Sequence, residues 1–368
     1  MAPTRAPAIR DPLRMRVARP VKDPVARSLP PVDGVLAAIG QTPLVRLRRY
    51  LRARPDIELW AKLEALNPGG SAKDRPAARM LDDAIAHGLI DATSTVIESS
   101  SGNLGVGLAQ ACRYHGLRFI CVVDARAHET NVRMMRALGA DVRVVTRADA
   151  GTGDLLAARL RLVAELVAST PNAFWPDQYA NVSNPAAHAA GTMREIDDAL
   201  DGRLDYLFVA TSTTGTLRGC WEHLREHGRR TCVVAVDAVG SVLFGGERGA
   251  RTLPGFGAGV QTELSAGASF DRLERVSGLE CVTGCRRLVE REAILAGASS
   301  GGVLMALERL APRIAAGSRC AAILADGGAG YLKTVYDDGW VQRELSCAPD
   351  ELASIVGRDA VASPPPAS

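Results

Sequence analysis

Short apolar stretches alternate with longer helical ones along most of this chain, and few folds accommodate that order. Residues 57–63, 94–98, 119–124 and 141–145 read as strands, with 206–210 and 233–237 as two further apolar strands. Residues 74–87, 103–115, 129–138 and 216–227 read as helices, and Gly88, Gly116 and Gly139 stand where three of them stop. Such alternation builds mostly parallel sheets covered on both faces. Ligands of these sheets bind at loops beyond the strands' C-terminal ends, so chemistry is expected there.

The 368 residues suggest two domains or one large α/β unit. The apolar fraction of 47% is that of an ordinary globular protein and excludes a mostly disordered chain. A formal charge of +3 argues against a dedicated nucleic-acid binder. No apolar run approaches the roughly 18 residues of a membrane span. Residues 1–33 carry seven prolines, six arginines and one lysine, and read as a flexible extension with no signal-peptide core. Residues 346–368, with Pro364-Pro365-Pro366 near their end, read as a C-terminal tail.

Eight scattered cysteines without a CxxC pair are expected to be buried, reduced thiols of a cytoplasmic protein. No metal is expected. His223 and His227 share an i,i+4 spacing, but their charged neighbours favour a solvated helix face over a metal site.

Three loops carry the candidate chemistry. Asn67-Pro68-Gly69-Gly70-Ser71-Ala72-Lys73 lies between a strand and a helix. Lys73 is one of only four lysines in an Arg-rich chain, so an incidental surface role is the weaker reading. At the helix entrance the dipole is expected to lower its pKa and free an amine. Ser99-Ser100-Ser101-Gly102-Asn103-Leu104 offers N–H and hydroxyl donors to a carboxylate, although one serine is needed merely as a cap. Thr211-Ser212-Thr213-Thr214-Gly215-Thr216 has the composition of a phosphate cradle, without the GxxxxGK[ST] of a Walker loop. The small residues at 292–302 permit close approach of a flat ligand or a strand. Asp326 ends an apolar strand where it could face a ligand nitrogen. Gly255-Phe256-Gly257-Ala258-Gly259 lacks the βαβ context of a dinucleotide fingerprint. A phosphorylated aldehyde held as an imine on a lysine would use all three loops, which is pyridoxal phosphate acting on an amino acid.

The order of these motifs, from Ile39-Gly40-Gln41-Thr42-Pro43-Leu44 to about Trp340, resembles fold-type II pyridoxal-phosphate enzymes, the cysteine synthase and cystathionine β-synthase family. The resemblance implies two α/β domains, each a mostly parallel sheet flanked by helices, with the cofactor between them. The larger would span 34–66 and 182–345, and the smaller, mobile one 67–181. It implies that Lys73 carries the cofactor and acts as catalytic base. Asn103, Ser212, Thr213, Thr214, Gly215 and Thr216 would also hold the cofactor, with Asp326 at its ring nitrogen. Ser100, Ser101, Gly102 and Leu104 would bind the substrate carboxylate.

Within the family the chain is most similar to the branch that joins O-phospho-L-serine to L-glutamate, releasing phosphate. The shared residues include Gln178-Tyr179-Ala180-Asn181, Ser212-Thr213-Thr214-Gly215 and Val335-Tyr336-Asp337 with Trp340. That branch supplies a precursor of 2,3-diaminopropionate in siderophore and peptide-antibiotic pathways. By the same resemblance Arg159, Tyr179 and Ser212 bind substrate, and the enzyme is a cytoplasmic homodimer acting on small amino acids. A cysteine synthase using O-acetyl- or O-phosphoserine with sulfide is the alternative, and a non-catalytic cofactor-binding regulator is another. The family's closing Gly-acidic-Arg-Tyr segment is here Gly328-Ala329-Gly330-Tyr331, without acid or arginine.

Overall fold

The computed structural model describes residues 31–125, 127–149 and 155–358. Its strands are β1 (Leu44–Arg46), β2 (Glu58–Leu63), β3 (Thr95–Ser99), β4 (Arg118–Asp124) and β5 (Asp141–Val145). They continue with β6 (Ala173–Phe174), β7 (Tyr206–Ala210), β8 (Cys232–Ala238), β9 (Arg272–Val276) and β10 (Arg319–Leu324). The helices are α1 (Asp74–Ala86), α2 (Asn103–His115), α3 (Glu129–Ala137), α4 (Leu155–Ser169), α5 (Ser183–Ala187) and α6 (Arg194–Ala199). They continue with α7 (Gly215–Glu226), α8 (Glu263–Ala266), α9 (Gly278–Glu292), α10 (Ala298–Leu310), α11 (Asp338–Leu345) and α12 (Pro349–Gly357).

Two sheets form. One has six strands in the order β1-β2-β10-β7-β8-β9, parallel except for β1. The other has four parallel strands, β5-β4-β3-β6. Every strand of the smaller sheet lies between residues 95 and 174, and the larger sheet takes the strands on either side. Alternate residues face opposite sides of a strand, which explains the near-continuous apolar runs. On β7, Phe208 joins the core beneath α9 and α10, while Leu207 and Val209 pack on the opposite side with Leu217 and Leu224 of α7. On β3, Val96 packs with α1 and α2, and Ile97 with Val163 of α4. Each fully buried Leu, Val or Phe contributes roughly 1.5–3 kcal/mol.

Helix α1 presents Ala77, Met80, Leu81 and Ala84 to this core at i, i+3, i+4 and i+7. A Cβ on Gly107 would come within 2.9 Å of Ala77 Cβ, so glycine there lets α2 lie against α1.

The small residues at 292–302 let Ala296 bridge Gly327 and also serve a helix crossing: a Cβ on Gly301 would lie 2.0 Å from Cys281 O, and one on Gly284 would lie 2.1 Å from Gly301 O. Two local expectations are corrected. Residues 346–368 are not simply a tail, because α12 buries Leu352 and Arg287 donates to Ile355 O and Val356 O. Residues 359–368, like 1–30, lie outside the described residues. His223 is buried rather than solvated. Its ring stacks on His227 at 4.1 Å and faces Asp197, and no metal-binding cluster occurs among the described residues. Among those residues no helix is long and apolar enough to cross a membrane.

Candidate active site

The loops singled out in the sequence all follow strand ends. Thr211–Thr216 follows β7, Ser100–Gly102 follows β3, and Asp326 follows β10. The turn bearing Lys73 is drawn to the end of β10, where Ala72 N donates to Ala325 O at 2.8 Å. That turn is built by its own residues. Gly70 has φ +91°, and the Asp74 carboxylate accepts from Gly69 N at 2.5 Å and from Ser71 Oγ at 3.4 Å. A Cβ on Gly69 would lie 2.7 Å from Asp74 Oδ1.

Lys73 stands at the N-cap position of α1 and lines a cleft with Thr211, Ser212, Thr213, Thr214, Thr216 and Ser299. Its pKa is lowered, and burial is the largest cause. Asp326 and Glu64 partly offset that burial.

A charge network lies behind the turn. Arg75 donates through Nε and Nη2 to Glu64 at 2.6 and 2.8 Å, and through Nη1 and Nη2 to Glu195 at 2.7 and 2.9 Å. Lys62 Nζ bonds Glu195 Oε2 at 2.6 Å and also donates to Thr42 O. Thr42 Oγ1 and Asn67 Nδ2 donate to Glu64 at 2.8 and 3.1 Å. Two cations and two carboxylates thus lock the Thr42 turn, β2, α1 and α6 around Lys73.

In the threonine loop, Thr214 adopts φ +69° and Gly215 opens α7. Glycine is required there, because a Cβ would lie 2.1 Å from Asn184 Oδ1. Thr216 Oγ1 lies 3.2 Å from His188 Nε2, and His188 Nδ1 lies 3.0 Å from Thr192 Oγ1. His188 begins a π-helical segment, His188–Met193, a distortion common near functional sites. Burial, with Lys73 and Arg75 nearby, holds this imidazole well below its usual range, so it is neutral. Sequence reasoning passed over His188, because an isolated histidine in an alanine-rich stretch carries no motif.

The serine loop divides its hydroxyls. Ser100 is buried and accepts at 3.0 Å from Gly105 N, in the first turn of α2. Ser101 Oγ accepts from Arg159 Nη1 at 2.6 Å, and Arg159 Nε lies 3.3 Å from Asp124 Oδ2. Ser99 Oγ is buried without a partner. Gly102 caps α2 in extended backbone, and Leu104 is buried in the core beside α1. Burial raises the Tyr179 phenol, Arg159 and Arg251 lower it, and Glu98 and Asp177 add to the rise. Ser212 Oγ donates to Gly257 O at 3.5 Å.

Asp326 joins the two sheets. Its Oδ2 accepts from Asn103 Nδ2 and from Tyr331 OH, both at 2.8 Å, and its Oδ1 is buried without a partner. Burial raises its pKa, while Asn103, Tyr331, Lys73 and His128 hold it back. Ser299 adds a hydroxyl to the cleft wall, which sequence reasoning had placed only within a small-residue stretch.

An amine of lowered pKa faces hydroxyls and N–H groups at a helix N-terminus, beside a second loop suited to a carboxylate. These groups fit an aldehyde cofactor with a phosphate tail. The sequence matches the family described as pyridoxal-phosphate dependent enzymes over residues 35–326, and the chain belongs to that family. Among its relatives is the N-(2-amino-2-carboxyethyl)-L-glutamate synthase of Ralstonia nicotianae, 45% identical over 309 residues, which cover 84% of this chain and 91% of that one. The O-acetylserine-dependent cystathionine β-synthase of Helicobacter pylori superposes with a TM-score of 0.77 at 30% identity, covering 83% of this chain and 99% of that one. O-ureido-L-serine synthase gives 0.76 at 29% identity, covering 85% of this chain and 99% of that one.

Proposed function

We propose that the protein is a β-replacement synthase that joins O-phospho-L-serine to L-glutamate, giving N-(2-amino-2-carboxyethyl)-L-glutamate and phosphate. The observation that carries this reading is the Arg159–Ser101 bond, which sets a guanidinium against the serine loop, itself tied through Asn103 and Asp326 to the turn that bears Lys73. Phosphate is a more demanding leaving group to neutralise than acetate, and a guanidinium matches its oxygens. The identity to the Ralstonia synthase supports the same choice.

Pyridoxal phosphate, when bound, supplies the electron sink for the carbon bearing the substrate amine. Lys73, Asn103, Ser212, Thr213, Thr214, Gly215 and Thr216 would hold it, with Asp326 and Ser299 close by. Ser100, Ser101, Gly102 and Leu104 present the substrate carboxylate with backbone and hydroxyl donors. Lys73 removes the Cα proton, and its lowered pKa favours the neutral amine that the task requires. Arg159 neutralises the departing phosphate, with Tyr179 and Ser212 as further substrate contacts. The Cβ–O bond to phosphate breaks, a Cβ–N bond to the glutamate amine forms, the amine's proton leaves with the phosphate, and Lys73 returns the proton to Cα.

The smaller sheet, in residues 67–181, would move against the rest to exclude water. Family resemblance supports a cytoplasmic homodimer that feeds 2,3-diaminopropionate synthesis for a siderophore or peptide antibiotic. The test is incubation of cofactor-loaded protein with O-phospho-L-serine and either L-glutamate or sulfide. Stoichiometric phosphate and the glutamate adduct by mass spectrometry are expected. Cysteine alone, formed only with sulfide, would overturn the assignment.

A further inference from the structure

We propose that Asn184 is a positioning residue that couples the serine loop to the threonine loop, so that the substrate carboxylate and the cofactor phosphate are held as one unit. The inference rests on the β-replacement reading and names the side chain that makes its two anion loops act together.

Asn184 lies in the short helix α5 and is 1% exposed. Its Nδ2 donates to Gln178 O at 2.8 Å and reaches Thr213 Oγ1 at 3.4 Å. Gln178 continues the path to the other loop. Its Nε2 donates to Ser99 O at 3.0 Å, and its N donates to Glu98 Oε2 at 3.3 Å. One amide therefore stands between the end of β3 and a threonine that lines the Lys73 cleft. The segment that carries it is braced. Asn181 N donates to Asp177 O at 2.9 Å, Asn181 Nδ2 to Pro176 O at 2.8 Å, and Asn184 N to Asn181 O at 3.1 Å. Ser183 Oγ adds a bond of 2.7 Å to Asp83 on α1, the helix that begins beside Lys73.

These ties close a ring around the cleft. Ser71 bridges Asp326, Asp326 takes Asn103 at the end of the serine loop, the start of that loop takes Gln178, and Asn184 returns the path to Thr213. Two features set Asn184 apart from ordinary packing. Its amide lies against Gly215, where a Cβ would come within 2.1 Å of Oδ1 and 2.8 Å of Nδ2, so a shift of the amide reaches the residue that opens α7. Its Oδ1 is buried without a partner. An unpaired buried acceptor costs about 1–3 kcal/mol, which an apolar side chain of similar size would avoid. The amide is kept for its two N–H donors, which face one oxygen from each side of the path. Packed, hydrogen-bonded segments have few alternative arrangements, so a carboxylate drawn onto the serine loop is felt at Thr213.

The test adds L-serine, which brings a carboxylate but no phosphorus, to cofactor-loaded wild type, Asn184→Ala and Asn184→Asp. The visible band reports L-serine at Lys73, and the phosphorus NMR resonance of the bound cofactor reports the threonine loop. In wild type both are expected to change. In the variants the visible band should still respond while the phosphorus resonance stays at its position without L-serine. The KM for O-phospho-L-serine should rise about tenfold in both. Asn184→Asp keeps the volume and lacks the N–H donors, so it separates the donated bonds from packing and carries the test if Asn184→Ala does not fold. A phosphorus shift of wild-type size in either variant overturns the proposal. So does a wild-type phosphorus resonance that ignores L-serine while the visible band changes. If L-serine leaves the wild-type visible band unchanged, the β-replacement reading falls first and this coupling falls with it.

Discussion

Asn103 Nδ2 donates to Asp326 Oδ2 at 2.8 Å, and that one bond ties the first residue of α2 to the end of β10. Helix α2 follows β3 of the four-stranded sheet, and β10 belongs to the six-stranded one. Tyr331 donates to the same oxygen, so the altered Gly328–Tyr331 segment still contributes to the site. Hydrogen bonds to a charged group contribute about 1.5–3 kcal/mol each. Asp326→Ala should therefore lower stability to denaturant by at least about 2 kcal/mol, and Asp326→Asn should recover part of it. The visible absorption of the bound cofactor decides whether the carboxylate does more than join the loops. A shifted band in Asp326→Asn places the charge in the cofactor's field, and an unchanged band leaves Asp326 a structural tie.

Lys73→Ala should abolish turnover while leaving the fold intact, because Lys73 lies half-buried at a cleft wall. Borohydride treatment followed by peptide mass spectrometry should place the reduced cofactor on Lys73 in wild type and nowhere in the variant. Label retained on any other lysine would reassign the attachment.

Glu195→Ala should destabilise the protein by about 3–5 kcal/mol, because it leaves two buried cations, Arg75 and Lys62, without their shared partner. Burial raises the Glu195 carboxyl, but Arg75 and Lys62 outweigh it and hold the pKa at about 2. Chemical denaturation of wild type and variant measures the cost. A loss below about 1 kcal/mol would mean that water replaces the carboxylate.

The regular elements were legible because period and punctuation agree. Residues 103–115 and 141–145 form the helix and strand expected of them, and Gly116 takes φ +72° at the helix end. The loops proposed to carry the chemistry were legible because hydroxyls and glycines cluster there for a local reason. What escaped has causes distant in sequence. His188 meets Thr216, 28 residues away, and Arg75 meets Glu195, 120 residues away. The glycines and serines of 292–302 gave no sign that they allow a helix crossing, because small residues look alike whether a ligand or a backbone approaches. His223 reads as solvated from its neighbours, yet the helix turns it toward Asp197.

Arg159→Ala should raise the KM for O-phospho-L-serine at least tenfold and leave that for glutamate less affected. The change also removes a partner of Asp124, so Arg159→Lys serves as the control for charge without the planar fork. Steady-state kinetics with each substrate varied in turn separates the two. A glutamate-only effect would move Arg159 from the first substrate to the second.

Glu98 sets a pH dependence whose sign is opposite to that of Glu195. Burial raises its carboxyl to about 7, although Ser99 N, Trp175 Nε1 and Gln178 N all donate to it. Asp74 is raised to about 6, again by burial, against the donors Gly69 N and Ser71. An acid whose folded pKa exceeds its unfolded value stabilises the fold at low pH, and that stability is lost as pH rises through the folded pKa. For Glu98 the window runs from 4.5 to about 7, and for Asp74 from 3.8 to about 6. Glu195 acts in the other direction: its contribution is complete above 4.5 and is lost as pH falls toward about 2. Together these groups favour the fold most near the crossover at about pH 4–5. Stability should then decline toward neutrality by on the order of 1–3 kcal/mol per raised group. Glu98→Gln cannot ionise, so its stability should fall less between about pH 5 and 7.5 than that of wild type. Urea midpoints across that range supply the comparison, and equal slopes would mean that Glu98 is already ionised at the lower pH.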